Sequence, residues 1–516
     1  MNNFLPCLAP YRRRRLAAAL AGLSFTAAAA PAAVAADQPW ARLRSEPVWP
    51  LFGSLSEPGR RPVPATPSAA TRIVTNCSDD GPGSLRATIV AAGESDTVDL
   101  SQLRCGRITL ETGAIPIEVD NLTLRGDGPA RTIIDGGDRD RLFIHYGFGT
   151  LTLEQLTVSG GYYRATGHDV AFGGCIAARS YLSLDHAVVR DCRAVGVGSY
   201  GGGTFSYALL MKNSTISGNL AAGRLDQATT AAFGGGAYAY VVSIADSTIT
   251  GNRADYQTTP PFDPYGIGGG LMAIIGGTIY NSTIDSNFSQ GRGGGVASFV
   301  NLVVSNSTIS SNQAQAELGG GLFMRWPSTL QLDNSTIAFN HAGLDAGGVW
   351  INAPGSYFRS SIVFGNVVDG QTNGDTGHDI GNGANPSSPA MATTIEGANS
   401  LIGSHGALLT LPPDTLDTDP QLGPLASNGG VTRTHALHPD SPAVDAGSNP
   451  GGLASDQRGG PFARIYGAAA DIGAYEWQPA VAAPPKPVPA FSAWAAAMLT
   501  ALLGLAAGSR RGRRRH

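Results

Sequence analysis

Few residues of this chain have the types that catalysis would use, and their spacing does not assemble a site. There are two lysines, Lys212 and Lys486. The second stands in a Pro-rich stretch, so a lysine acting as general base would have to be Lys212. Gly-His-Asp at 167–169 and Gly-Ser-His-Gly at 403–406 are isolated from one another. "DRDR" at 138–141 and "DTLDTDP" at 414–420 are rich in carboxylates but lack calcium-loop spacing, and Asp at such places is ordinary turn chemistry. Four cysteines remain once Cys7 is set aside: Cys77, Cys105, Cys175 and Cys192. No Cys-x-x-Cys occurs, although His186 lies between Cys175 and Cys192, so disulfides are favoured over zinc. Three pairings are open, and nearness along the chain favours Cys77–Cys105 and Cys175–Cys192. No catalytic residue, metal ligand or cofactor is assigned.

The residues that do recur point to a structural unit. "KNSTISGN" at 212–219 returns as "YNSTIDSN" at 280–287, "SNSTISSN" at 305–312 and "DNSTIAFN" at 333–340, with "ADSTITGN" and "RSSIVFGN" as variants. Glycine clusters begin at 173, 201, 234, 268, 293 and 319, with Ala346-Gly-Gly as the last member; the steps are 25 to 34 residues. Short runs such as "LTLEQLTV" alternate apolar and polar residues, which is strand periodicity. A near-constant period with Gly and Asn at its corners is the mark of a solenoid. The expectation is an all-β chain, a single-stranded right-handed parallel β-helix with an N-terminal cap and a β-rich C-terminal region. Residues 121–366 make about nine coils of roughly 28 residues each. Within the phrase, Asn213 and Asn219 are candidates for amide ladders between coils, and Ile216 is expected in the core.

The coils differ in the segment between the Asn phrase and the next glycine cluster. Insertions occur at 160–172, 193–200, 221–233 and 253–267. They share one phase of the repeat, so stacking sets them side by side on one edge, where insertions often mark the binding face. That edge collects Tyr162, Tyr163, His168, Asp169, Tyr200, Tyr256, Phe262, Asp263 and Tyr265, together with Arg164 and Arg224. Aromatic rings beside polar groups suit a sugar or a protein ligand. The competing expectation is that the insertions pack on one another and cover strand edges.

Both ends read as addresses. Residues 1–36 run from four arginines through an apolar stretch to small residues, a secretory signal peptide. Residues 477–490 form a Pro/Ala linker, and 491–516 carry a mostly apolar run followed by five arginines. Together 1–36 and 491–516 hold nine arginines and no acidic residue, so without them the formal charge moves from −4 to −13. Such a chain binds neither nucleic acid nor anionic membrane through general electrostatics; membrane contact is expected only through the terminal signals.

Three stretches resemble known families. Val488-Pro-Ala-Phe-Ser492 and Trp494, ahead of the apolar run and the arginines, loosely resemble the IPTL-type C-terminal sorting signals of Gram-negative bacteria. Asp80-Gly-Pro-Gly-Ser-Leu-Arg86 resembles the N-terminal module of bacterial surface proteins with pectin-lyase-like β-helices, in which Cys77 with Cys105 would match a cap disulfide. Asn428-Gly-Gly430, His435-Ala-Leu437, Ser441 to Gly447, Asp456-Gln-Arg-Gly459 and Asp471 to Glu476 are similar to a choice-of-anchor region of the Q type. The resemblance implies a cap at 72–120 after a Pro/Arg-rich linker at 37–71, helix repeats at 121–375 and an anchor-like region at 376–476. It also implies processing at the tail and cell-surface placement. Enzymes of this fold commonly use Lys or Arg with calcium, or Asp pairs within Asn-Thr-Asp, Asp-Asp and Gly-His-Gly elements, and no such set occurs here in order. The function expected is therefore non-catalytic adhesion or display, with a polysaccharide or cell-surface ligand held along the looped edge. A carbohydrate-active enzyme is the alternative, and a structural spacer the third reading.

Overall fold

In a computed structural model the described residues are 69–479, apart from 168, 225–229, 257–265, 326, 353, 370–377 and 384–390. They wind as a right-handed parallel β-helix. Each regular coil has a long strand, a three-residue strand and a short third strand, and each pairs in register with its equivalent one coil away. In the coil beginning at Gly201 these are Thr204–Lys212, Thr215–Ser217 and Leu220–Gly223. The sheet of three-residue strands has eleven members, from Arg107–Thr109 to Leu401–Ile402. Nine of them lie between residues 121 and 366, which matches the nine coils expected there.

Alternation supplies the core. On the three-residue strands the middle residue points inward, and Val189, Ile216, Ile249, Ile284, Ile309 and Ile337 stack in one fully buried column. On the long strands Leu184, Met211, Ile244 and Ile279 form another. β-branched side chains suit this narrow interior because their restricted rotamers fit a pleated surface.

Every position of the repeated phrase has a separate job. Asn213, Asn281, Asn306 and Asn334 take the left-handed conformation (φ 49°, 49°, 51° and 42°) and turn the chain between two sheets, a region Asn enters at low cost. The following serines are buried. The N–H of Ser214 donates to Ser247 Oγ (3.1 Å), Ser247 to Ser282, and so on to Ser400. The Asn that ends the phrase forms the main ladder. Asn219 Nδ2 donates to Asn252 Oδ1 at 2.9 Å, and the series continues through Asn287, Asn312, Asn340 and Asn366 to Asp379. Asn219 is thus a ladder residue as expected, whereas Asn213 serves as a corner. A shorter outer ladder of corner residues starts one coil later, at Asp246, and includes Asn281 and Asn306.

The glycine clusters let adjacent coils approach. The first glycine has positive φ, and a Cβ on the second, as at Gly202, would collide with the Gly235 carbonyl oxygen of the next coil. At the N-terminus the "DGPGSLR" phrase builds a lid. Ser84 caps the helix Leu85–Val90 by accepting from Ala87 N–H (3.2 Å), and Leu85 and Ile89 join the core. Arg86 ties this helix to the carbonyls of Gly113 and Ala114 and to Asp79. Both disulfides favoured by proximity are present: Cys77–Cys105 and Cys175–Cys192, with Cα separations of 6.5 and 5.4 Å.

Parallel pairing runs on to Thr393–Ala398 with Leu409–Thr410. The chain then folds back as a module, with Leu422–Ala426 antiparallel to Thr434–Leu437, and lies on the outer face of the three-residue strands. Thr283, Thr308 and Thr336, outward-facing residues of that sheet, are fully covered. Gln457 is central to the contact: its Nε2 donates to Thr283 Oγ1 (3.0 Å) and its Oε1 accepts from Thr308 Oγ1 (2.6 Å). His435 meets Ser310 at 2.8 Å, and Arg433 pairs with Asp285. The module holds itself together through buried ion pairs, Arg458–Asp456 and Arg464–Glu476. The residues that carry the choice-of-anchor resemblance are therefore the polar centre of a module clamped to the solenoid.

Burial raises four carboxyls, Asp345, Asp379, Asp471 and Glu476, and so makes stability depend on pH. Burial lifts Asp379 to about 6, against the hydrogen bonds from Asn366 and Ser404 that favour its ionised form. Burial likewise lifts Glu476 to about 7. A carboxyl raised in the folded state binds protons more readily there than in the unfolded chain. Its contribution is most favourable below the unfolded value of about 4 and is lost as pH rises through the folded one. Burial lowers His145 and His435, whose contributions run the opposite way with pH, so the test is a comparison. The urea midpoint of the wild-type chain is expected to fall relative to that of Asp379→Asn, which also supplies an amide to the ladder, as pH rises from 4 through 6. A constant difference between the two would remove Asp379 from the account.

An aromatic seam as candidate functional site

The four insertions fold on one another. Their outgoing arms extend the third sheet, with Tyr162–Arg164, Arg193–Gly196, Leu220–Gly223 and Arg253–Asp255 in parallel register. Their returning arms make a fourth sheet of Ala171–Phe172, Gly198–Tyr200, Ala231–Phe233 and Gly266–Ile267. The space between the arms is filled by small residues: Ala165, Ala171 and Ala194 with Tyr163, then Ala221, Ala232 and Ala254 with Tyr256. Alanines at most of these positions let the two sheets close into a thin fin, so both expectations for the insertions hold in part. They are set side by side, and they pack on each other.

Where the fin meets the long strands, aromatic rings gather in columns parallel to the helix axis. Phe172, Tyr200 and Phe233 occupy equivalent places on the fourth sheet, with centroids 5.3 and 5.1 Å apart and planes within 25°. On the long strands Phe205 stacks with Tyr238 (5.4 Å) and Tyr207 with Tyr240 (5.6 Å). Phe205 and Tyr207 project from the same face because they are two residues apart on one strand, as are Tyr238 and Tyr240. Tyr200–Tyr238 (5.2 Å) and Tyr238–Tyr240 (5.9 Å) meet edge to face and join the columns.

Phe205 and Tyr238 are 1% and 6% exposed and form a floor, flanked by half-buried Tyr200 and Phe233 on one side and Tyr207 and Tyr240 on the other. Centroids more than 5 Å apart with nearly parallel planes describe an offset stack, in which each ring leaves part of one face uncovered. The hydroxyls stay protonated: burial raises Tyr240 to about 12 and Tyr238 well above its ordinary value.

Further along the axis the same rows change character. Arg292 follows Ile267 on the fourth-sheet row and forms a buried ion pair with Glu317. The floor becomes Phe323 stacked on Trp350 at 5.1 Å. The other side becomes Phe299 with the Arg325 guanidinium 4.9 Å from its centroid. Tyr256 lies within electrostatic reach of Glu317 and Arg292, and its hydroxyl is raised to about 12, mainly by burial. Burial and the nearby Arg292 charge lower Arg325.

The residues chosen from sequence are distributed unevenly over this arrangement. Tyr200 stands in the seam. Tyr162 and Tyr163 are on the third-sheet arm, where Tyr163 receives the Arg141 guanidinium at 3.4 Å. Tyr256 is inside the fin. Asp169 is exposed, its carbonyl accepting from Val197 N–H. Arg224 crosses the fin to the carbonyls of Ala165 and Gly167. His168, Phe262, Asp263 and Tyr265 lie outside the described residues. Lys212 is exposed at the end of its strand.

Sequence reasoning missed the long-strand rings because it searched only the insertions. A signal was present: an aromatic directly before each of two glycine triplets, and aromatics at the second and fourth places after it, in "YGGGTFSY" at 200–207 and "FGGGAYAY" at 233–240.

No protein-family model matches the chain, and no curated protein does. Among solved structures it is similar to the crystal structure of the pectate lyase Pel9A, at 14% identity and a TM-score of 0.43, over 80% of this chain and 98% of that one.

Proposed function

We propose that this is an exported, surface-anchored display protein that holds glycan along the aromatic seam without turning it over. The observation that carries the reading is the set of three offset-stacked columns, with Tyr200, Phe233, Tyr207 and Tyr240 half-buried around a closed floor. Apolar C–H faces of sugar rings lie well on such surfaces, and tyrosine hydroxyls meet sugar hydroxyls at the margins. Two disulfides support an oxidising compartment. Export and anchoring rest on the terminal segments, which lie outside the described residues.

A second reading, a carbohydrate-active enzyme, is favoured by one observation: Arg292, Glu317, Arg325 and Tyr256 bring titratable groups together in line with the seam. A glycan array probed with the exported chain, with product release assayed on every hit, separates the two. Binding without product is the expected result. Product release that disappears in Glu317→Gln would establish the enzyme instead, and silence across the array would leave a spacer.

A further inference from the structure

The seam has a repeat and a charge, and both constrain what lies on it. Its rings recur once per coil, at 5.1 to 5.6 Å along each column. That is close to the length of one hexose in an extended, equatorially linked chain.

The rings themselves are uncharged, and the arginines described nearby are engaged. Arg141 is buried, donating to the Phe172 carbonyl (2.9 Å) beneath Tyr163. Arg179, one coil before Tyr207, lies 3.8 Å from the Phe148 centroid. A carboxylate on every sugar would lose water over these rings without gaining a cation for each charge, in a protein whose net charge is already negative.

Resting on the glycan-binding reading above, we infer that the ligand is an extended, uncharged polysaccharide with equatorial linkages, lying along the helix axis at one hexose per coil. An all-equatorial hexose suits the seam because its hydroxyls point sideways and both its faces are C–H. The fourth-sheet column has three rings, Phe172, Tyr200 and Phe233, so contacts accumulate over about three sugars and then stop.

The test uses the full chain in calorimetric titrations. β-1,4-linked glucose oligomers of two to six units are compared with oligogalacturonates of the same lengths. Affinity for the neutral series is expected to rise at least tenfold from two sugars to three or four and then level off, with the uronates at least tenfold weaker. Tyr200→Ala should cost tenfold or more, and Tyr162→Ala, outside the seam, less than twofold; circular dichroism confirms that both variants fold. Uronates binding as tightly as neutral chains, no length plateau, or indifference to Tyr200→Ala would each overturn the inference while leaving glycan binding itself standing. If neither class binds, the inference falls, and the glycan array decides separately whether the display reading stands.

Discussion

Asn287→Ala is expected to cost about 3 kcal/mol of stability and to split the unfolding of the solenoid. Asn287 is 1% exposed in the middle of the ladder. Its Nδ2 donates to the Ile249 carbonyl and to Asn312 Oδ1 (2.9 Å each), and its Oδ1 accepts from the backbone N–H and the Nδ2 of Asn252 (3.0 and 2.9 Å). Alanine removes four buried hydrogen bonds and leaves a backbone N–H and a carbonyl without their partners. An orphaned buried group costs about 1–3 kcal/mol. In a repeat protein each coil is stabilised by its neighbours, so weakening this one junction uncouples the coils on either side. Urea unfolding should show a lower midpoint and a smaller slope, because less surface is exposed in each step. A loss below about 1 kcal/mol, comparable with that of an ordinary surface substitution, would show that the ladder accompanies the fold without supporting it.

The second large effect concerns the first rung of that ladder. In regular coils the ladder Asn packs against the third glycine of a cluster. A Cβ on Gly203 would come 3.0 Å from Asn219 Cγ, and the same relation links Gly236 with Asn252 and Gly270 with Asn287. One coil earlier the two places are taken by Cys175 and Cys192, joined by a disulfide. Cys175 N–H donates to the Gly203 carbonyl, and Cys192 N–H donates to Asn219 Oδ1 at 3.0 Å. The bridge is thus a covalent replacement of a Gly–Asn contact, at the point where the ladder would otherwise start with a free end.

Changing both cysteines to serine is expected to cost about 3 kcal/mol, the chain-entropy scale for a loop of this size. Cys175→Gly with Cys192→Asn should recover at least half of that loss, because the new amide reaches Asn219 and the Val158 carbonyl as later rungs reach theirs. It should also reduce the effect of reductant to what the remaining Cys77–Cys105 bridge contributes. Thermal unfolding with and without dithiothreitol measures both effects. If the Gly/Asn variant is no more stable than the Ser/Ser variant, the equivalence is wrong.

The disulfide pairing illustrates how much could be read early. Nearness along the chain favoured the observed pairs, and the repeat phrase placed Asn219 in a ladder and Ile216 in the core. Asn213 was harder. Its type suits both a ladder and a left-handed corner, and only the turn between two sheets selects the corner. The candidate site was half legible for a related reason. Insertions are visible as departures from the period, so Tyr200 was found. Phe205, Tyr207, Tyr238 and Tyr240 sit within the regular strands, where an aromatic looks like any other alternating residue until the fin is seen to rise beside it.

The sequence by itself determined the coil: its period, its strands and its inward column. Each of these depends on residues a few places apart and is repeated often enough to be unmistakable. The tertiary structure decided which outward-facing residues remain outside. Thr215 and Thr308 hold the same place in the same phrase, yet Thr308 is sealed by Gln457, 149 residues further on, and Thr215 is not. The rings of the seam likewise become neighbours only once coils of unequal length stack in register. Local pattern fixes the direction of a side chain relative to its own strand, whereas what stands opposite it depends on contacts made between distant parts of the chain.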